Sequence, residues 1–284
     1  MGRWERSWWI TRASFGVLSK DREMILFPIL SGLFSALFSL ALLFPTVIIH
    51  LLKAVDVSRI VVGPTQIAAV AVTYFGLAFI ATFFNVCVVY TTRVRLSGGD
   101  ATFTDSIQFA LSRVHLIAGW SAVAATVGVL LHAIESAAQR SGLVGKIVLS
   151  ILRALLAGAW AVMTVFVIPS MVYKDLGPID AMRDSFETLK RTWGESIIGY
   201  YGIGLASALF VVPGVLLIVG GVAAIGVSVP LGVLLVILGA LGIAIVSIVF
   251  GILSTIYKTA LYHFASTGNA PPGFDQGALM GAFR

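Results

Sequence analysis

From Ser196 to Tyr257 the chain carries no Asp, Glu, Lys or Arg for 62 consecutive residues. The run holds two apolar stretches, Ile197–Val227 and Leu231–Ile256, joined at Gly226-Val-Ser-Val-Pro230. Crossing a hydrocarbon core about 30 Å thick takes roughly 20 apolar residues in a helix. A helix in a water-soluble core would need charge on the face that meets solvent. The run therefore reads as a transmembrane hairpin.

The rest of the chain follows suit. Only 11% of its 284 residues are charged and 58% are hydrophobic, where an ordinary soluble domain is roughly 25% charged. Six spans are expected, at 24–52, 67–92, 115–137, 147–173, 196–227 and 231–262, joined by short polar linkers. The fold class is an all-α polytopic bundle, a single membrane domain over 1–265. The tail Ser266–Arg284, broken by Gly268, Pro271-Pro272-Gly273 and Gly277, is expected to be extended. Met1–Glu23 does not read as a signal peptide, because the apolar run after it is too long for an h-region. Pro28, Pro45, Pro169 and Pro213 fall in or near spans, where proline can kink a helix.

The net charge of +6 comes from basic residues that form no dense block, which argues against a nucleic-acid partner. They gather at span ends. The N-terminus, second and fourth loops and tail hold fourteen Lys and Arg; the opposite side holds four, Lys53, Arg59, Arg140 and Lys146. By the positive-inside bias both termini are cytoplasmic and the location is the cell membrane.

A repeat of about 80–85 residues underlies this topology. Spans 2, 4 and 6 end alike, in Val88-Val89-Tyr90-Thr91, Met171-Val172-Tyr173-Lys174 and Thr255-Ile256-Tyr257-Lys258. Before spans 1, 3 and 5 come Arg6-Ser7-Trp8, Asp105-Ser106-Ile107 and Asp184-Ser185-Phe186, each opening a stretch with helical apolar spacing. Trp4, Trp8, Phe15 and Leu18 share a face in the first; Phe103, Ile107, Leu111 and Val114 do in the second, behind a Thr102-x-x-Asp105 capping box. In the third, Ile179, Met182, Phe186, Leu189 and Trp193 do, with Pro178 suited to the helix start and Gly194 to its stop. The reading is three parallel units, about 1–92, 102–173 and 178–265, each an amphipathic interfacial helix followed by a two-span hairpin. Trp4, Trp8, Trp193, Lys190 and Arg191 would anchor these helices at the interface, with membrane phospholipids as partners. Chance recurrence at bilayer boundaries is the competing explanation.

Gly2-Arg3-x-x-x-Ser7-Trp8, Ser14-x-x-Val17-Leu18-x-Lys20-Asp21, Leu26-Phe27-Pro28, Leu189-Lys190-Arg191-Thr192-Trp193-Gly194-Glu195 and Ala260-Leu261-Tyr262-x-Phe264-Ala265 form a recognisable set. On these stretches the chain resembles an uncharacterised prokaryotic family of integral membrane proteins. That resemblance implies a six-span fold and brings no activity, so no catalytic residue follows from it. The helix-then-hairpin pattern is also distantly similar to the membrane domains attached to some glycerophosphodiester phosphodiesterases, in architecture alone.

Chemistry is sparse. Cys87, the lone cysteine, excludes an intramolecular disulfide and a CxxC site. His50, His115, His132 and His263 fall in different spans or boundaries, with no metal-ligand spacing. No zincin, nucleophile-elbow or P-loop pattern occurs. No catalytic, metal or cofactor residue is expected, and no enzyme. The polar candidates within the spans are Arg153, Glu135, His132 and Asn85. Arg153 sits six residues inside its span, roughly 9 Å deep at 1.5 Å per residue. It either pairs with Glu135 or snorkels to the outer headgroups. Asn85 reads as an interhelical hydrogen bond. Gly202 with Ala206, Gly204 with Ala208, and Ala154, Ala157, Gly158 and Ala161 offer narrow faces for helix contact, within the bundle or with a second copy or another membrane protein. Two functions stay open: a non-catalytic protein that shapes, senses or scaffolds the membrane, and a small permease or lipid-handling protein with a path between its hairpins.

Overall fold

The computed structural model describes residues 3–53, 64–272 and 274, with side chains described over 12–42, 68–191, 204, 207–272 and 274. Among these residues every regular element is helical. In chain order they are α1 Arg3–Lys20, a short 3-10 turn Arg22–Ile25, α2 Leu26–Lys53, α3 Pro64–Leu96, α4 Phe103–Ser112, α5 Val114–Arg140, α6 Leu143–Met163, α7 Val167–Lys174, α8 Pro178–Ala224 and α9 Val229–Thr267. Among the described residues six stretches are long and apolar enough to cross a membrane: Arg22–Leu42, Ala68–Leu96, Val114–Arg140, Leu143–Lys174, Ser207–Ala224 and Val229–Thr267.

Local chemistry explains most boundaries, and two differ from the sequence reading. Gly194 does not end a helix: α8 passes through it, so the amphipathic stretch from Pro178 and the fifth span are one 47-residue helix. A glycine costs a helix about 1 kcal/mol relative to alanine, which long flanking turns outweigh. The fourth span, by contrast, breaks between α6 and α7 at Thr164–Phe166. Pro169 has no N–H to offer Val165, and its ring crowds that carbonyl, so the ladder cannot run through. α9 stops at Gly268, whose left-handed φ of 71° suits glycine. Beyond it Pro271 and Phe274 are buried, with the Phe274 N–H donating to the Pro271 carbonyl at 3.0 Å, and the rest of the tail, residues 275–284, lies outside those described.

The chain forms two compact units that interleave in sequence, one of residues 1–26, 91–103 and 188–284, the other of 27–90 and 104–187. In the first, α1 and the 3-10 turn pack on α9. Ile252, Leu253, Ile256, Tyr257, Leu261 and Tyr262 of α9 are buried, while Val229, Leu234, Leu238, Leu241 and Ile245 nearer its start are exposed. α8 and α9 form a tight hairpin. A Cβ on Gly239 would lie 2.6 Å from the Gly214 carbonyl, and one on Gly221 would lie 2.8 Å from that of Gly232.

In the second unit, Trp120, Val167, Met171 and Ala181 form a buried cluster, with Trp160 stacked on Trp120 at 5.5 Å. α5 and α6 pair as a hairpin. Yet α6 buries no residue, and Leu143, Val144, Ile147, Val148, Ile151 and Leu155 stand exposed. In both units the core lies toward one end of the spans and bare apolar side chains toward the other.

The helices with amphipathic spacing bury only part of the large apolar stripe, Leu18 and Leu189 among it, together with small and hydroxyl side chains, and leave the rest exposed. α1 buries Ser14, Val17 and Leu18 and exposes Phe15. α4 buries Ser106 and Ala110 and exposes Leu111, and Val114 just beyond it is exposed too. α8 buries Ala181, Ser185, Thr188 and Leu189 and exposes Ile179 and Phe186. Small and hydroxyl side chains let backbones approach, which sets the docking face.

Candidate functional site

The α5–α6 hairpin sets the register of the charges within the spans. Its turn at Ser141–Gly142 brings α6 back along α5, so that Arg153 Nε lies 2.8 Å from Glu135 Oε2 in an ion pair. The pair is open to its surroundings, with 45% of the Arg153 side chain and 41% of Glu135 exposed. His132, exposed on the same helix as Glu135, faces the ring of Tyr74 on α3, with centroids 6.1 Å apart. Asn85 is half-buried on α3 and has no hydrogen-bond partner among the described residues. Lys190 and Arg191 are exposed on α8. The side chains of Trp4, Trp8 and Trp193, and of Gly202 with Ala206, lie outside those described.

The small-residue faces read from the sequence are not the ones in contact. Gly158 and Gly204 have open space where a Cβ would stand, and Ala154, Ala161 and Ala208 are exposed. Close approaches fall at other glycines, among them Gly76 against Phe38, Gly128 against Tyr74, and Gly214, Gly221, Gly232 and Gly239 between α8 and α9.

Sequence reasoning also missed the polar network at the break in the fourth span. Ser185 of α8 donates to the Met163 carbonyl at 2.8 Å and accepts from the Phe166 N–H at 3.0 Å. One buried hydroxyl thus satisfies both a carbonyl and an amide freed by the break. Beside it, Ser170 donates to Asp184 at 2.7 Å and Lys174 pairs with the other carboxylate oxygen. Pro169 in the fourth span was the available signal; the partner on α8 was not, because nothing local ties it there.

A stacked chain continues that end of the unit. Tyr90 lies over Phe109 with centroids 4.2 Å apart, Arg113 covers Phe109 at 4.1 Å, and Arg113 Nε reaches Asp175 at 2.8 Å. Asp175 takes a left-handed φ of 56° as the cap of α7, a conformation aspartate tolerates. The other unit holds a separate cluster, in which Arg95 pairs with Asp21 and Asp100.

Six apolar helices, with these polar groups near helix ends and breaks, define a multi-pass, all-helical membrane protein. Residues 64–273 match a family of unknown function (DUF6159), and the chain belongs to that family. No curated protein matches the chain.

Proposed function

We propose that this protein is a non-catalytic component of the cell membrane, with both termini cytoplasmic, that shapes or scaffolds the cytoplasmic leaflet. In this reading the chain is three parallel units of interfacial helix plus hairpin, and phospholipids are its partners. The supporting observation is the division of faces on α1, α4 and the start of α8. One face of each is spent on protein, and Phe15, Leu111, Ile179 and Phe186 remain exposed. On α8, Arg183 and Lys190 are exposed near Ile179 and Phe186. Apolar side chains beside lysine or arginine are what a helix at a headgroup boundary presents. Trp4, Trp8 and Trp193 extend the same stripes by their spacing.

The test is reconstitution of the full chain into large vesicles containing anionic phospholipid, imaged at rising protein-to-lipid ratio. The expected result is a fall in vesicle radius or tubulation, with a trapped small solute retained. A second reading, a small permease or lipid-handling protein, draws on the broken fourth span, since discontinuous helices line the sites of many transporters. Unchanged curvature together with saturable solute or lipid movement would overturn the first reading in favour of the second.

A further inference from the structure

One feature of the first unit is unrelated to curvature. A cleft of about 300 Å³ opens between α1, the end of α3, the Ser97–Gly99 loop and the tail at Pro272. Its walls are small: Ala13, Gly16, Gly98, Gly99 and Pro272. A Cβ on Gly16 or Gly98 would meet nothing, so the glycines border open space, and Gly98 holds a φ of 83°. The charged side chains lining it are both cations, Lys20 and Arg95.

The two carboxylates on Arg95 are unequal. Asp21 is buried, 8% exposed, and takes Arg95 through both Nε and Nη2, a fixed fork. Asp100 is 81% exposed, sits on the loop after Gly98-Gly99, and touches only Nη2. A bidentate, desolvated pair is strong; an exposed single contact contributes little. Asp21 alone balances the arginine. Asp100 is a second, loosely held negative group on Arg95, and Lys20, which has no ion pair among the described residues, is the other cation lining the cleft.

We infer that this cleft binds a phosphate group, and that Asp100 is a tethered stand-in which the phosphate displaces from Arg95. The phosphate takes Arg95 from the open side and Lys20 as a point charge, while the glycine walls admit its tetrahedral oxygens without a side-chain clash. The group belongs either to a soluble phosphate or to a phospholipid headgroup. The inference stands apart from the shaping role, since binding is read at the cleft whatever the vesicles do.

The test uses the full chain in detergent, titrated with inorganic phosphate, and in parallel counts phosphatidylglycerol and phosphatidylcholine retained in native mass spectrometry. The variants are Lys20→Ala and Asp100→Asn, both at exposed positions, with Lys146→Ala in the other unit as a control. Loss of one charged contact should weaken binding about tenfold in Lys20→Ala. Asp100→Asn should tighten it several-fold by removing the competitor, and Lys146→Ala should leave it unchanged. That order with inorganic phosphate assigns a soluble ligand; the same order seen only in retained phosphatidylglycerol assigns a headgroup. Binding that ignores both cleft variants, or no binding in either arm, would overturn the site.

Discussion

Ser185 Oγ lies 2.8 Å from the main-chain carbonyl oxygen of Met163, across the break that divides the fourth span. The same oxygen accepts the Phe166 N–H. Both peptide groups are freed by the break near Pro169, and one hydroxyl serves both. Ser185→Ala takes this hydroxyl away from the buried Phe166 N–H and from the part-buried Met163 carbonyl, at about 1–3 kcal/mol each. A loss of roughly 2–4 kcal/mol in a detergent unfolding titration is expected. Ser97→Ala, which removes an exposed hydroxyl bonded to the Arg93 carbonyl, should change little. Equal effects from the two would mean the break does not depend on Ser185.

The Glu135–Arg153 contact joins the two arms of one hairpin, so its contribution is measurable as a coupling. Each single substitution, Glu135→Gln or Arg153→Gln, should destabilise the protein, and the double should cost less than the sum. Polar pairs within membrane proteins couple by about 0.5–1.5 kcal/mol, and the 2.8 Å geometry places this one within that range. Strict additivity would return Arg153 to the outer headgroups.

Spin labels at Phe186 and Glu187 test what the exposed side of α8 meets, since both positions are exposed. A label at 186 should show high collision with oxygen and low collision with a water-soluble nickel chelate, as a lipid-facing site does. A label at 187, where Glu187 is exposed, should show the reverse. Water access equal at 186 and 187 would remove the interfacial role of this stripe.

How much of this was legible in the sequence depends on the range of each interaction. The six apolar stretches were readable because each is a local property of its own residues. Glu135 and Arg153 were readable because a short turn sets the register of the two helices they sit on. The apolar stripes were readable too, but not which side faces protein, since Ala181 and Ser185 look unremarkable beside Phe186. Arg95 and Asp21 stand 74 residues apart and nothing near either one points to the other. Gly194 misled because a glycine inside a long helix and a glycine ending a short one share the same local sequence.

The glycines of the α8–α9 hairpin give a prediction whose sign changes with position. Gly214 and Gly221 are seven residues apart on α8, and Gly232 and Gly239 are seven apart on α9. Seven residues is close to two helical turns, so each pair lies on one face. The antiparallel hairpin matches Gly214 with Gly239 and Gly221 with Gly232, each within 3.0 Å of where a partner's Cβ would stand. The obstructing atoms include backbone carbonyls, which cannot swing aside as a side chain can. Gly239→Ala and Gly221→Ala should therefore each destabilise the protein by about 1–3 kcal/mol through overpacking. Gly220 and Gly242, on the same helices, have open space at that position. There alanine meets no clash and gains up to about 1 kcal/mol of helix propensity, so Gly220→Ala and Gly242→Ala should be neutral or stabilising. Melting temperatures of the four variants in one detergent decide the matter. A uniform shift across all four would mean the helices do not approach through these glycines.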